Sequence, residues 1–218
     1  TYGYWNPAGL ATLKYPEVAA MHSRNFGGLV NYDYAGFALP FRSHEGLGLS
    51  VVRLAVDDIP YTALPRPDLA INAQYTDEQG NILFNRTFAE KWVNNADYAM
   101  YLSYANQRNR TFAYGANIKF IRRGVGDNSA WGIGFDIGVL WQPFDKLFLG
   151  ANFQDATTTL LAWDTGTQEL ISPTLKTGLG YPLNIPFMNS QLLMLGDVGF
   201  RFEGRETAAQ LSVSEMSM

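Results

Sequence analysis

From Trp131 to Gln142 the chain alternates between two chemically different sets of residues. Trp131, Ile133, Phe135, Ile137, Val139 and Trp141 share one phase. Gly132, Gly134, Asp136, Gly138, Leu140 and Gln142 share the other. A period of two marks a strand, because successive side chains point to opposite faces. Phe112, Tyr114, Ala116, Ile118 and Phe120 oppose Ala113, Gly115, Asn117 and Lys119 in the same way. Tyr98, Met100, Leu102 and Tyr104 oppose Asp97, Ala99, Tyr101 and Ser103, and the pattern returns around 147–154, 175–181 and 194–202. Helical periodicity is nearly absent. The pattern predicts an all-β, antiparallel, up-and-down fold with strands at about 17–25, 30–40, 46–56, 96–105, 111–123, 130–141, 147–155, 172–182, 191–203 and 207–218.

The connections alternate in length. Phe41–Glu45, Asn106–Arg110 and Gln142–Lys146 are short, whereas Asp57–Asn95 and Ala156–Ile171 are long. Transmembrane barrels show this asymmetry, with short periplasmic turns and longer external loops. Ten steps of about 3.3 Å, tilted about 45°, project to roughly 23 Å, close to the apolar band of an outer-membrane barrel. Trp131 and Trp141 fall where its two aromatic girdles lie. The expected architecture is therefore a transmembrane antiparallel β-barrel in a bacterial outer membrane, in contact with lipid and lipopolysaccharide. Because Ser212–Met218 still alternates like a strand that has not finished, the barrel is expected to be incomplete at Met218, with about ten strands present.

Composition sharpens this picture. Aromatic residues reach 14% and charged residues only 17%, below the roughly 25% usual in soluble domains. No apolar run approaches the 18 or so residues of a membrane helix. Cysteine is absent, which excludes thiolate and disulfide chemistry. A net charge of −4 without a basic stripe argues against nucleic acid. His22 and His44 are the sole histidines and have no ligand set around them, so neither a metal nor another cofactor is expected. Gly132–Gly138 lacks the spacing and the following helix of a dinucleotide loop, and no nucleophile elbow is present. These absences point away from an enzyme.

Asp97, Asn117, Lys119, Asp136, Asn152, Gln154, Lys176 and Arg201 share the polar phase and are expected to face a barrel lumen. In strand three the apolar phase moves from Leu47, Leu49 and Val51 to Leu54 and Val56. Unbroken alternation aims Arg53 at the apolar side. A β-bulge at Val52–Arg53 would reset the facing; snorkelling of Arg53 at the rim is the alternative.

The string Tyr4-Trp5-Asn6-Pro7-Ala8-Gly9-Leu10-Ala11 resembles the start of the PorV/PorQ family of outer-membrane proteins, relatives of the FadL fatty-acid transporter. Loose matches follow in order at Leu102–Ala105, Gly115–Lys119, Gly132–Asp136, Leu149–Asn152 and Leu195–Val198. The resemblance implies a barrel of about 14 strands, with residues 1–16 as an N-terminal hatch that includes Trp5, Asn6, Pro7 and Ala8, and residues 17–218 as barrel. It implies a partner or shuttle in type IX protein secretion, engaging translocon components or secreted cargo. The alternative is a FadL-like transporter of hydrophobic small molecules, in which a kinked third strand opens sideways to a hydrophobic ligand. Alternation alone also permits a soluble lipocalin-like or sandwich binding protein.

Overall fold

The structure, a computed structural model, describes residues 2–185, 187, 189–202 and 210–212. The period-two pattern is realised as a large antiparallel sheet. Its strands are β1 (Glu17–Asn25), β2 (Val30–Arg42), β3 (Glu45–Ala63), β6 (Phe88–Asn109), β7 (Phe112–Val125), β8 (Asn128–Phe144), β9 (Leu147–Gln154), β10 (Thr159–Trp163), β11 (Gln168–Ile171), β12 (Thr174–Ile185), β13 (Ser190–Arg201) and β14 (Gln210–Ser212). A separate hairpin, β4 (Gln74–Thr76) with β5 (Ile82–Phe84), lies in the excursion between β3 and β6.

The main path runs β1-β2-β3-β6-β7-β8-β9-β12-β13-β14. Among the described residues β1 pairs only with β2, and no ladder joins it to β13 or β14. The sheet is open. The transmembrane barrel expected from the sequence is therefore corrected, and with it the enclosed lumen and the paired girdles. Trp131 and Trp141 stand exposed on one face of this open sheet. The physical reason is plain: alternation reports that a strand has two unlike faces, but an open sheet and a closed one require the same alternation. No helix among the described residues is long and apolar enough to cross a membrane, which says nothing of strands.

Strand bounds also differ. β3 and β6 extend through 57–63 and 88–95, so much of the expected long loop is ladder. The stretch 156–171 holds the β10–β11 hairpin. Residues 213–218 of the expected last strand lie outside the described residues.

The bulge at Val52–Arg53 is corrected as well. Both ladders of β3 run in register from Gly46 to Val56, and its register shifts fall later, at Val56/Ile59 and Tyr61/Thr62. Arg53 keeps its place because neighbouring strands supply partners. Its Nη1 donates to Asp33 Oδ2 at 2.8 Å, and its Nε donates to Tyr98 Oη at 3.3 Å. The charge is met locally, so the strand has no need to reset its facing. The sideways opening inferred from a bulge falls with it.

β8 is shared. Along one side its later part, from Ile137, pairs with β9, while Ala130–Ile133 pair with β10. Between these ladders the chain leaves the sheet through Asp155–Thr158, with positive φ at Asp155 (54°) and Thr158 (57°).

The N-terminal segment packs on one face, here termed inner. Tyr2–Trp5 form a single helical turn and Pro7–Thr12 a 3-10 helix. Asn6 caps the second, its Oδ1 accepting from Ala8 N at 3.0 Å, with proline at the first helical position, where its missing N–H costs nothing. Pro7 to Ala11 are buried. The segment touches β2, β3, β6, β7 and β8, and hydrogen-bonds to β9. Six neighbouring strands span about 24 Å, twice the width of a helix, so the sheet curls around the segment. Glycines admit it. A Cβ at Gly46 would lie 2.2 Å from Leu10 O, and one at Gly115 2.7 Å from Ala8 N.

Candidate functional site: a polar trough on the inner face

The inner face has a covered half and an open half. In the covered half, Lys119 Nζ lies 2.9 Å from Asp136 Oδ1 and 2.7 Å from Asp155 Oδ1. Asp136 and Lys119 are almost fully buried. Asn117 Nδ2 donates to Asp136 Oδ2 at 3.2 Å and to Gly3 O at 2.6 Å. Asp155 N donates to Asp136 Oδ1 at 2.9 Å, and the Thr159 hydroxyl donates to Asp155. One lysine thus holds two carboxylates together. Burying these charges is tolerable only because every one is paired and further hydrogen-bonded. The cluster ties the β9–β10 corner and the N-terminal segment to β7 and β8. Further along, Arg123 Nε meets Asp97 Oδ2 at 3.2 Å, and its Nη1 meets Glu169 at the same distance.

Tyrosines surround the helical turn. Tyr4 stacks edge-on against Tyr101 at 5.9 Å. Burial, reinforced by the charge of Asp136, pushes the Tyr101 hydroxyl well above the ordinary tyrosine range. Burial, with Tyr4 close by, pushes Tyr32 up to about 12.

The open half is a trough of about 840 Å³ beside Trp5 and Asn6, floored by β9, β12 and β13. The register sets its pattern. Lys176 stands opposite Asn152 on one side and Gly199 on the other. One row along, Gly178 stands opposite Gly150 and Asp197. Gln154, Thr174 and Arg201 form the next row. Trp5, 62% exposed, walls the trough, with Lys176 Nζ 5.9 Å from its ring centroid. Asn152 is nearly buried; its Nδ2 donates to Trp5 O at 2.7 Å, while its Oδ1 has no hydrogen-bond partner among the described residues.

That unpartnered oxygen belongs to a set. Ser50, Asn95, Asp97, Ser103, Asn117 and Asn152 each carry a buried oxygen without a partner among the described residues, and alternation places all six on the inner face. Ser50 and Ser103 border a cavity of about 50 Å³ beneath Gly3, roomy enough for a water.

The residues expected to face a lumen are thus distributed on one face of an open sheet. Asn117, Lys119 and Asp136 belong to the buried cluster, and Asp97 pairs with Arg123. Asn152, Gln154, Lys176 and Arg201 line the trough. Of the N-terminal string, Pro7 and Ala8 are buried, while Trp5 and Asn6 form the trough wall. Asn6 Nδ2 also reaches Val139 O and Ala151 O, at 3.2 and 3.1 Å. Sequence reasoning missed Asp155, a turn residue outside the alternation. It also left Asp197 out of the site, although Asp197, Gly199 and Arg201 share one phase. His22 pairs with Asp33 away from the trough, and His44 lies in the β2–β3 turn. Among the described residues no cluster could hold a metal ion.

A scan against protein-family models, a search of curated proteins and a search of solved structures each return no match. Together with the open sheet, this overturns the resemblance to the PorV/PorQ and FadL proteins. Everything that rested on the barrel is corrected with it: the outer-membrane location, the lipid and lipopolysaccharide contacts, the secretion partners and cargo, and the passage of a hydrophobic ligand. The identity that the chain itself supports is an open, curled antiparallel sheet that holds its own N-terminal segment and leaves a polar trough beside it.

Proposed function

We propose that this protein is a non-catalytic binding module whose trough receives a compact polar ligand beside the N-terminal segment. The observation that carries this reading is the lining of the trough, where Asn6, Asn152, Gln154, Lys176, Asp197 and Arg201 converge on one concavity beside the exposed Trp5. The trough volume, about 840 Å³, lies within the range of small-molecule sites. The absence of catalysis is part of the proposal. Of the carboxylates at the trough, Asp155 is held with Asp136 by Lys119, and Asp197 has no histidine beside it, since both histidines lie elsewhere.

The test fills the trough. A Cβ at Gly199 meets nothing within 4 Å, so Gly199→Trp plugs the open half without disturbing the covered one. Small polar compounds are screened against the full chain by amide chemical shifts, and hits are repeated on the plugged variant. Binders should be lost from Gly199→Trp, whose melting temperature should be unchanged, and should be recovered intact by mass spectrometry. Hits that bind the plugged protein equally well would refute the site. Conversion of a hit would refute the non-catalytic reading.

A further inference from the structure

The trough carries two charges, Lys176 and Asp197, that no described residue neutralises. Lys176 makes no ion pair among the described residues, and its Nζ only rests over the Trp5 ring at 5.9 Å. Such a contact at an exposed site is weak and readily exchanged. Asp197, exposed on the neighbouring strand, has neither an ion pair nor a hydrogen bond among the described residues. The two stand one row apart, and Gly178 is the residue that faces Asp197 across the β12–β13 ladder. Lys176 leans toward β9, because Trp5 is held there by Asn152. Asp197 stands on the far side of β12. The charges therefore face each other across a glycine floor without touching.

The hydrogen-bonding inventory is one-sided at each end. Lys176 can only donate. Asp197 can only accept. A simple anion suits Lys176 but is repelled by Asp197; a simple cation meets the reverse conflict. A neutral polyol hydrogen-bonds to both and neutralises neither. One class meets every demand: a molecule with a carboxylate at one end and an ammonium at the other. Trp5, 62% exposed, supplies an apolar wall for a side chain between them.

We infer that the trough takes a zwitterion of the amino-acid or short-peptide class, its carboxylate toward Lys176 and its ammonium toward Asp197. This inference rests on the reading of the trough as a ligand site. In the complex Lys176 leaves the Trp5 ring for the ligand carboxylate, and the ring it uncovers packs against the ligand.

The test is calorimetric titration of the full chain with the dipeptide alanyl-phenylalanine, its N-acetyl derivative, its C-terminal amide, and maltotriose. The free dipeptide should bind, and blocking either end should weaken binding about tenfold or more, the equivalent of about 1.4 kcal/mol. Lys176→Met should erase the preference for the free dipeptide over the amide while keeping that over the acetylated form. Asp197→Asn should do the opposite. This crossed pattern survives a modest loss of stability, since each variant is compared with itself across ligands. Equal affinity for all three peptides would overturn the inference. So would binding of maltotriose without the dipeptide, but the trough reading would then stand if Gly199→Trp blocked the sugar. Dipeptide binding that Gly199→Trp leaves unchanged would overturn both.

Discussion

Gly46→Ala tests whether the sheet is shaped around the N-terminal segment or merely lies beneath it. The added methyl would sit 2.2 Å from Leu10 O and 2.6 Å from its carbonyl carbon, inside the 3.0 Å that real Cβ contacts respect. Backbone cannot swing aside as a side-chain tip can, so the 3-10 helix must lift by nearly 1 Å or leave. Overpacking of this kind costs about 1–3 kcal/mol. If the helix leaves, Leu10, buried to 1% exposure, forfeits a transfer free energy of the same size, about 1.5–3 kcal/mol. For a chain of this length each kcal/mol moves the melting temperature by about 2–4 °C, so a fall on the order of 2–12 °C is expected. Gly199→Ala is the control, because its methyl meets nothing. Limited trypsin digestion gives the local readout, since a lifted segment opens the bond after Lys14 to cleavage. Equal melting temperatures and equal cleavage for the two variants would refute the idea that close approach to Leu10 is why position 46 is glycine.

Replacing Lys119 with Met strands two carboxylates beside each other; denaturant unfolding should show a loss of about 3–5 kcal/mol, and a loss below about 1 would mean the cluster is hydrated. Asn85 is fully buried and bonds to Arg66, Leu69 and Ala70 of the β3–β6 excursion, so Asn85→Ala should speed amide exchange in residues 64–87 while leaving β7 and β8 protected. Among the 12 tyrosines, Tyr32 and Tyr101 should stay protonated in an alkaline absorbance titration after the exposed ones have ionised. Their raised values also set the sign of linkage. The stabilisation is complete below the ordinary tyrosine value near 10 and is lost as pH rises through the folded values, so Tyr101→Phe should flatten the alkaline decline in stability.

How far the sequence carries can be seen residue by residue. The alternation of Trp131 to Gln142 assigns both faces of β8, because periodicity is local and survives any arrangement of neighbours. Closure is a relation between the first and last strands, and no local pattern encodes it. The stretch Asp57–Tyr61 reads as loop because two acids and a proline break the phase, yet β3 absorbs them with two register shifts. Thr159–Trp163 and Gln168–Ile171 are too short for their phase to stand out. Arg53 misleads for another reason: its partners, Asp33 and Tyr98, come from strands distant in sequence, so its charge reads as unmet when it is not. In the site, the shared phase of Asn152, Lys176 and Arg201 is visible from alternation. The pairing of Lys119 with Asp155 is not, because a left-handed turn outside the ladder delivers that carboxylate.

The contact between Asn6 and Ala151 spans 145 residues, and that separation orders events during synthesis. Each strand pairs mostly with its predecessor or successor, so hairpins can close as they emerge, at small loop-closure cost. The N-terminal segment has no such local partner. Its capping asparagine finds its last two carbonyls only when β8 and β9 exist, and Trp5 waits for Asn152. Residues that precede every strand in the sequence are therefore seated only once β9, 145 residues later, has been made. Until then Leu10 and its neighbours remain exposed to solvent and to chaperones, and the inner face lacks its cover. The trough thus acquires its Trp5 wall only once β9 is in place, and its floor only when β12 and β13 follow.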